Sequence, residues 1–198
     1  MSKTVKILII IGAIVALIAV ISGIYNKMVK LDENVQQAWA QVENVYQRRA
    51  DLIPNLVKTV QGAAEFEKGT LEAVVCARSK ATSMQIDPSK LSEEDIAQFQ
   101  KVQDELSSSL SRLMVVVERY PELKANQNFL ELQAQLEGTE NRITVERKKF
   151  NEVVQNYNTA VRRFPNNIFA GMFGFDKKGY FKAQEGAENA PEVDFNFD

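Results

Sequence analysis

Apolar residues recur at helical spacing along almost the whole chain, and one stretch near the start is apolar on every side. From Ile7 to Ile24 there is no charged residue, and Gly12, Ser22 and Gly23 are its only members that are not greasy. At about 1.5 Å per residue this run nearly spans a hydrocarbon core of about 30 Å. It predicts a transmembrane helix, with Tyr25 placed as an interfacial aromatic. A cleaved signal peptide would have a shorter apolar core and a small-x-small site. Ile21 and Val20 spoil that spacing, and no cysteine follows the run to accept lipid.

From Tyr25 to Phe164 the period is 3.5 to 3.6, and no tight Gly-rich hairpin separates alternating runs. Leu31, Val35, Ala38, Val42 and Val45, with Trp39 and Tyr46, form one stripe. Ile53, Leu56, Val57, Val60, Ala64, Leu71, Val74 and Val75 form a second. Ile96, Phe99, Val102, Leu106, Leu110, Leu113, Val117 and Tyr120 form a third. Phe129, Leu132, Leu136, Ile143, Phe150, Val153, Tyr157, Ala160 and Phe164 form a fourth, whose heptad also lands on Thr139 and Glu146.

The breaks are readable. Asp87-Pro88-Ser89 is a turn, Ser92 with Asp95 resembles a capping box, Pro121 closes the third helix, and Asn126 caps the fourth. Phe164-Pro165-Asn166-Asn167 closes the fourth. Pro54 poses the harder choice. An unbroken helix over residues 27–80 would run about 80 Å and outreach its neighbours. A split near Asp51, with Pro54 in the first turn of a new helix, avoids that. The expected fold is therefore all-α: an N-terminal transmembrane helix (residues 1–26), then an antiparallel four-helix bundle (27–168). The alternative is a three-helix bundle with a long kinked first helix.

Residues 169–198 read as an aromatic strap followed by an acidic tail. Phe169, Gly171, Phe173, Gly174, Phe175, Gly179, Tyr180 and Phe181 do not follow a helix pattern, and predict a strap on the bundle end or a patch at a membrane interface. Residues 185–198 carry Glu185, Glu188, Glu192, Asp194 and Asp198 and no base, the pattern of a mobile acidic tail. Phe195 and Phe197 within it could serve as a docking motif.

Composition narrows the chemistry. A net charge of −2 without a basic patch argues against nucleic-acid binding. There is no histidine, which removes the commonest general base and metal ligand. The single Cys76 lies in an apolar stretch and reads as a small buried hydrophobe. Phosphate-loop and nucleophile-elbow patterns are missing. Glu118, Glu140, Arg142, Arg147, Asn151 and Asn158 lie on or beside the apolar stripes. They form a candidate inter-helix polar cluster, either fixing helix register or lining a pocket. A carboxylate-metal bundle would add a Glu-x-x-His motif, which this chain lacks. No catalytic residue, metal ligand or cofactor site is expected.

Taken together, several segments resemble the LemA family. They are Tyr25-Asn26 with Leu31, Val35 and Ala38-Trp39; Arg49-Ala50-Asp51-Leu52-Ile53-Pro54-Asn55-Leu56-Val57; and Ala77-Arg78. Further along come Glu118-Arg119-Tyr120-Pro121-Glu122-Leu123-Lys124-Ala125-Asn126, Thr139-Glu140-Asn141-Arg142-Ile143, Phe150-Asn151, Tyr157-Asn158 and Phe164-Pro165. Glu146-Arg147 departs from that pattern, where the family resembles Ala-Arg. The resemblance implies a bacterial membrane protein with one N-terminal transmembrane helix and a helical bundle, and implies no activity.

The expectation is thus a non-enzymatic interaction or scaffold protein. It touches the bilayer through residues 7–24 and has a protein partner of unknown identity, with an oligomer left open. A sensory or ligand-binding bundle with a polar pocket is the alternative. Lys3 and Lys6 before the span balance Lys27 and Lys30 after it. The free amine tips the positive-inside count toward a bundle outside the cell.

Overall fold

The computed structural model describes residues 2–62 and 67–183, and their regular structure is entirely helical. The elements are α1 (Lys3–Gln61), α2 (Lys68–Ser83), α3 (Glu93–Val117), the short α4 (Pro121–Lys124), α5 (Gln127–Arg162) and α6 (Asn166–Phe173). α1 carries the apolar N-terminal run, exposed over residues 7–20, and continues without a break into the bundle.

A four-helix bundle forms, but not with the expected boundaries. No turn occurs at Asp51. α1 continues through Pro54 to Gln61, so the residues assigned to a separate second helix divide between α1 and α2. The length argument fails because α5 is also long, at 36 residues, and gives residues 27–61 of α1 a full-length partner. α1 and α5 share the most extensive packing in the molecule, while α2 packs chiefly on α3. Trp39 faces Phe150 and Arg49 meets Glu140, which sets the two long helices antiparallel.

Pro54 is tolerated inside α1 for a specific reason. A proline removes the N–H that would bond the carbonyl four residues earlier, which here is Ala50. Arg78 on α2 supplies the missing donor: its Nε donates to the Ala50 carbonyl at 2.8 Å. The same bond docks α2 on α1. Arg78→Ala should cost about 1–3 kcal/mol by orphaning that carbonyl. In a Pro54→Ala background the helix can satisfy Ala50 itself, so most of the cost should vanish. A double-mutant cycle by denaturant titration measures this, and equal costs in both backgrounds would refute the coupling.

Seams of heptad spacing explain the packing. Met28, Val35, Val42 and Leu56 on α1 are buried at seven-residue intervals, as are Trp39, Tyr46, Ile53 and Val60. Position 49 of the first series is an arginine. On α5, Phe129, Leu136, Ile143, Phe150 and Tyr157 repeat in the same way. The core divides into two layers. One contains Trp39, Tyr46, Phe99, Phe150, Tyr157 and Phe181. The other contains Ile53, Leu56, Leu106, Leu113, Phe129 and Leu136.

The expected caps are present. Ser92 Oγ accepts from the Asp95 N–H at 3.1 Å, and the Asp95 carboxylate accepts from the Ser92 N–H at 3.2 Å. Asn126 accepts from the Phe129 N–H at 3.2 Å. Pro121 does not end α3, which stops at Val117; it starts α4. Two stripe positions and the cysteine turn outward: Val75 and Phe164 are exposed, and Cys76 is exposed rather than buried. Tyr120 is half-buried and packs on the core. Val75 and Cys76 fall on the face of the short α2 opposite Val74 and Ala77, and among the described residues no further helix covers it. Ala64 of the second stripe lies outside the described residues.

The C-terminal part also differs from the simple strap. Residues Asn166–Phe173 are helical, as α6, and only the segment after Gly174 is extended over the bundle. Gly174 ends α6 with φ of 75°, the left-handed conformation that glycine adopts at no steric cost. The acidic stretch expected at 185–198, with Phe195 and Phe197, lies outside the described residues.

Candidate functional site

Two polar constellations stand out within the bundle, one between its core layers and one under the strap. The first is built on Arg49, which is 1% exposed. Its Nη1 donates to Ser107 Oγ and to Glu140 Oε1, each at 2.7 Å. Its Nη2 donates to Gln103 Oε1 at 2.6 Å and to the Gln103 carbonyl at 3.2 Å. The guanidinium lies 5.0 Å from the centroid of the Tyr46 ring, and Nε is buried without a partner. Burial raises the Tyr46 hydroxyl pKa, with Arg147 and Arg49 opposing it. Gln103 reaches on to the Ala81 carbonyl of α2 at 3.5 Å. With the Arg78–Ala50 bond alongside, this polar layer links all four bundle helices where the two apolar layers meet.

The second constellation holds the strap. The Asn158 side chain donates to the Lys178 carbonyl and accepts from the Lys178 N–H, both at 2.9 Å. Asn151 does the same for Phe181, at 2.9 and 3.0 Å. Seven residues of helix rise about 10.5 Å, and three residues of extended chain cover about 10 Å, so the two amides match the strap's repeat. Gln100 on α3 grips Lys182 in the same two-bond manner, at 3.0 and 3.1 Å. Phe181 is thereby fixed against Trp39, Phe99 and Phe150.

Lys178 carries the strap's charge inward. It is buried, pairs with Asp32 of α1 at 3.1 Å, and donates to the Ser89 carbonyl in the α2–α3 connection. Tyr157 donates to the Asp176 carbonyl at 2.9 Å. Burial pushes its hydroxyl pKa well above the usual tyrosine range, and Asp32 and Asp176 add to the effect.

Gly179 crosses the start of α3 with its N–H bonded to the Leu91 carbonyl at 2.8 Å. A Cβ there would sit 2.7 Å from both Glu93 Cα and Ser92 O, which are backbone atoms and cannot rotate aside. Gly179→Ala should lift the strap and cost about 1–3 kcal/mol. Hydrogen exchange should then show lost protection at the Lys178 and Phe181 amides. Unchanged protection would contradict this seating of the strap.

The six expected cluster residues therefore do not converge. Glu140 belongs to the Arg49 layer, while Asn151 and Asn158 clamp the strap. Arg147 donates to the Lys182 carbonyl at 3.0 Å, with its guanidinium 4.7 Å from the Phe181 ring centroid. Glu118 lies at the end of α3 and pairs with Lys124 at 2.6 Å, both exposed. Arg142 is exposed. The five on α5 fall into separate groups because that helix is long enough for successive turns to meet different neighbours. The sequence reading missed Arg49, Gln103, Asp32, Lys178 and Gln100. The one signal available for Arg49 was its place in the heptad series of Val35, Val42 and Leu56.

A cleft of about 320 Å³ opens beside the Arg49 layer, lined by Glu43, Tyr46, Gln47, Met84, Phe99 and Gln103. Among the described residues, no three His, Cys, Asp or Glu side chains come close enough to hold a metal ion.

The fold and these constellations define a helical-bundle protein, carried on a helix long and apolar enough to cross a membrane. The LemA family profile matches residues 38–195, and the chain belongs to the LemA family. It is 26% identical to Magnetosome protein MamQ 2 of Paramagnetospirillum magneticum, over 86% of this chain and 69% of that protein. Magnetosome protein MamQ of Magnetospirillum gryphiswaldense is also 26% identical, over 85% of this chain and 68% of the relative. Protein LemA of Metamycoplasma hominis is 22% identical, over 82% of this chain and 71% of the relative.

Proposed function

We propose that this protein is a membrane-anchored, non-enzymatic scaffold that presents a rigid helical surface to a protein partner. The observation behind this reading is how the polar groups are used. Arg49, Gln103, Asn151, Asn158 and Lys178 all bond to the chain's own atoms and fix helix register and strap. The paired α1 and α5 form a rod of about 50 Å at 1.5 Å per residue, rising directly from the apolar run. In this reading the bundle lies on the extracytoplasmic side, with Lys3 and Lys6 on the cytoplasmic side of the span.

Both parts are testable in cells. Cys76 is exposed and is the chain's single cysteine, so a membrane-impermeant thiol reagent reports the side directly. Labelling in intact cells is expected; labelling only after lysis would reverse the orientation. Crosslinking in native membranes followed by purification should recover a defined protein together with this chain. Recovery of the chain alone, at each of several crosslinker lengths, would count against a scaffold. The ligand-binding alternative rests on the cleft beside Gln103.

A further inference from the structure

Among the described residues, α6 is the short element with a wide exposed apolar face. Its eight residues, Asn-Asn-Ile-Phe-Ala-Gly-Met-Phe, contain no charge. Ala170 is 2% exposed against the core, whereas Ile168 and Met172 are 53% and 73% exposed. At about 100° per residue, those two lie on the side of the helix opposite Ala170, which faces the bundle. Phe164, just before α6, is 77% exposed. Nearly all the other exposed large apolar residues are isolated or belong to the apolar run of α1.

The position of α6 selects its occupant. It packs on α1 where the uncharged run ends. The Phe173 ring lies 5.1 Å from Tyr25, and Phe175 lies 5.8 Å from it. Ile24, the last residue of the run, packs against the core layer that contains Trp39 and Phe150. An anchor that crosses the bilayer through residues 7–24 therefore holds α6 at the membrane boundary, with its apolar face turned away from the bundle. Exposed basic residues flank it, Arg162 and Arg163 before and Lys177 after, against one exposed acid, Asp176. Apolar residues toward the acyl region with bases beside them match an interfacial helix on an anionic lipid surface.

We infer that α6 is a second membrane-contacting element, seated in the headgroup region of a bilayer containing anionic lipid. Ile168 and Met172, with Phe164, are inserted toward the acyl chains. The anchor then meets the bundle with a lateral foot, which limits tilting of the rod relative to the membrane. This inference rests on the anchor reading above.

The test uses the full chain in nanodiscs of phosphatidylcholine and phosphatidylglycerol. In a Cys76→Ser background, an environment-sensitive fluorophore is placed singly at Met172→Cys, Ile168→Cys, Val15→Cys or Val145→Cys. All four positions are exposed, so the fold should survive labelling. Val15 reports the anchor, and Val145, half-way along α5, reports water. The expected result is blue-shifted emission at Met172 and Ile168, quenched by lipids carrying a doxyl group near the headgroup. Val15 should be quenched by deeper doxyl groups, and Val145 by neither. If Val15 is in lipid while Met172 and Ile168 behave like Val145, the inference fails and the anchor stands. Labels at 168 and 172 that are shielded from water yet unreached by lipid quencher mean that protein covers α6, which also overturns it. A Val15 label in water would remove the anchor itself.

Discussion

Replacing Trp39 with alanine is expected to cost about 3–5 kcal/mol of folding stability, the range for deleting a large buried aromatic. Trp39 is fully buried, and its ring joins four parts of the chain. It lies 5.1 Å from Phe99 of α3 and 5.5 Å from Phe150 of α5, both edge-on, and stacks on Phe181 of the strap at 6.1 Å. Truncation therefore opens a cavity bounded by α1, α3, α5 and the strap, and rigid helices cannot collapse to fill it. Aromatic pairs add about 0.5–1.5 kcal/mol each beyond area burial, so losing three partners places the cost toward the upper end. Guanidinium titration of the full chain in mild detergent, followed by circular dichroism, measures it. Trp39→Phe keeps part of the ring contacts and should cost less than half as much. A loss below about 1 kcal/mol for Trp39→Ala would mean that the strap and both helices pack independently of this ring.

That layer was largely legible in the sequence. Trp39, Phe99, Phe150 and Tyr157 stood on stripes of helical period, and all four are buried. The Ser92–Asp95 box and the Asn126 cap were readable because caps are local, with donor and acceptor three residues apart. The helix boundary at Pro54 was not. Its compensation comes from Arg78, which bonds the Ala50 carbonyl from 28 residues further along the chain, and no local rule reports it. α6 was missed because its eight residues hold glycine and aromatics in place of charge, and it is held by Tyr25 and the core rather than by propensity. The asparagines 151 and 158 were noticed for their shared face. Their partner is an extended backbone rather than another helix, so the clamp emerged only with the strap in place.

Arg49→Ala is expected to cost about 3 kcal/mol, and the distribution of that loss decides what the polar layer is for. Breaking a buried ion pair costs about 3–5 kcal/mol when the remaining charge is stranded. Here the remaining charge is not stranded: the Glu140 side chain is 44% exposed and can rehydrate. Gln103 is different, at 4% exposed, and losing its Arg49 partner leaves a buried amide short of a bond, worth about 1–3 kcal/mol. The vacated arginine volume adds a cavity term. Glu140→Gln should therefore cost under about 1 kcal/mol, because the amide oxygen still accepts from Arg49 and the lost charge was half in water. Arg49→Met refills the volume without the bonds and should fall between the two. If Glu140→Gln proves as damaging as Arg49→Ala, electrostatics and not packing hold the layer. If Arg49→Met is neutral or stabilising while hydrogen exchange along α1 and α5 accelerates, the arginine specifies register at no gain in stability. A seven-residue repeat on both long helices permits a slip of one heptad that would still bury apolar side chains. An arginine in the α1 series penalises that slip, since only one alignment brings it to Glu140, Gln103 and Ser107 together.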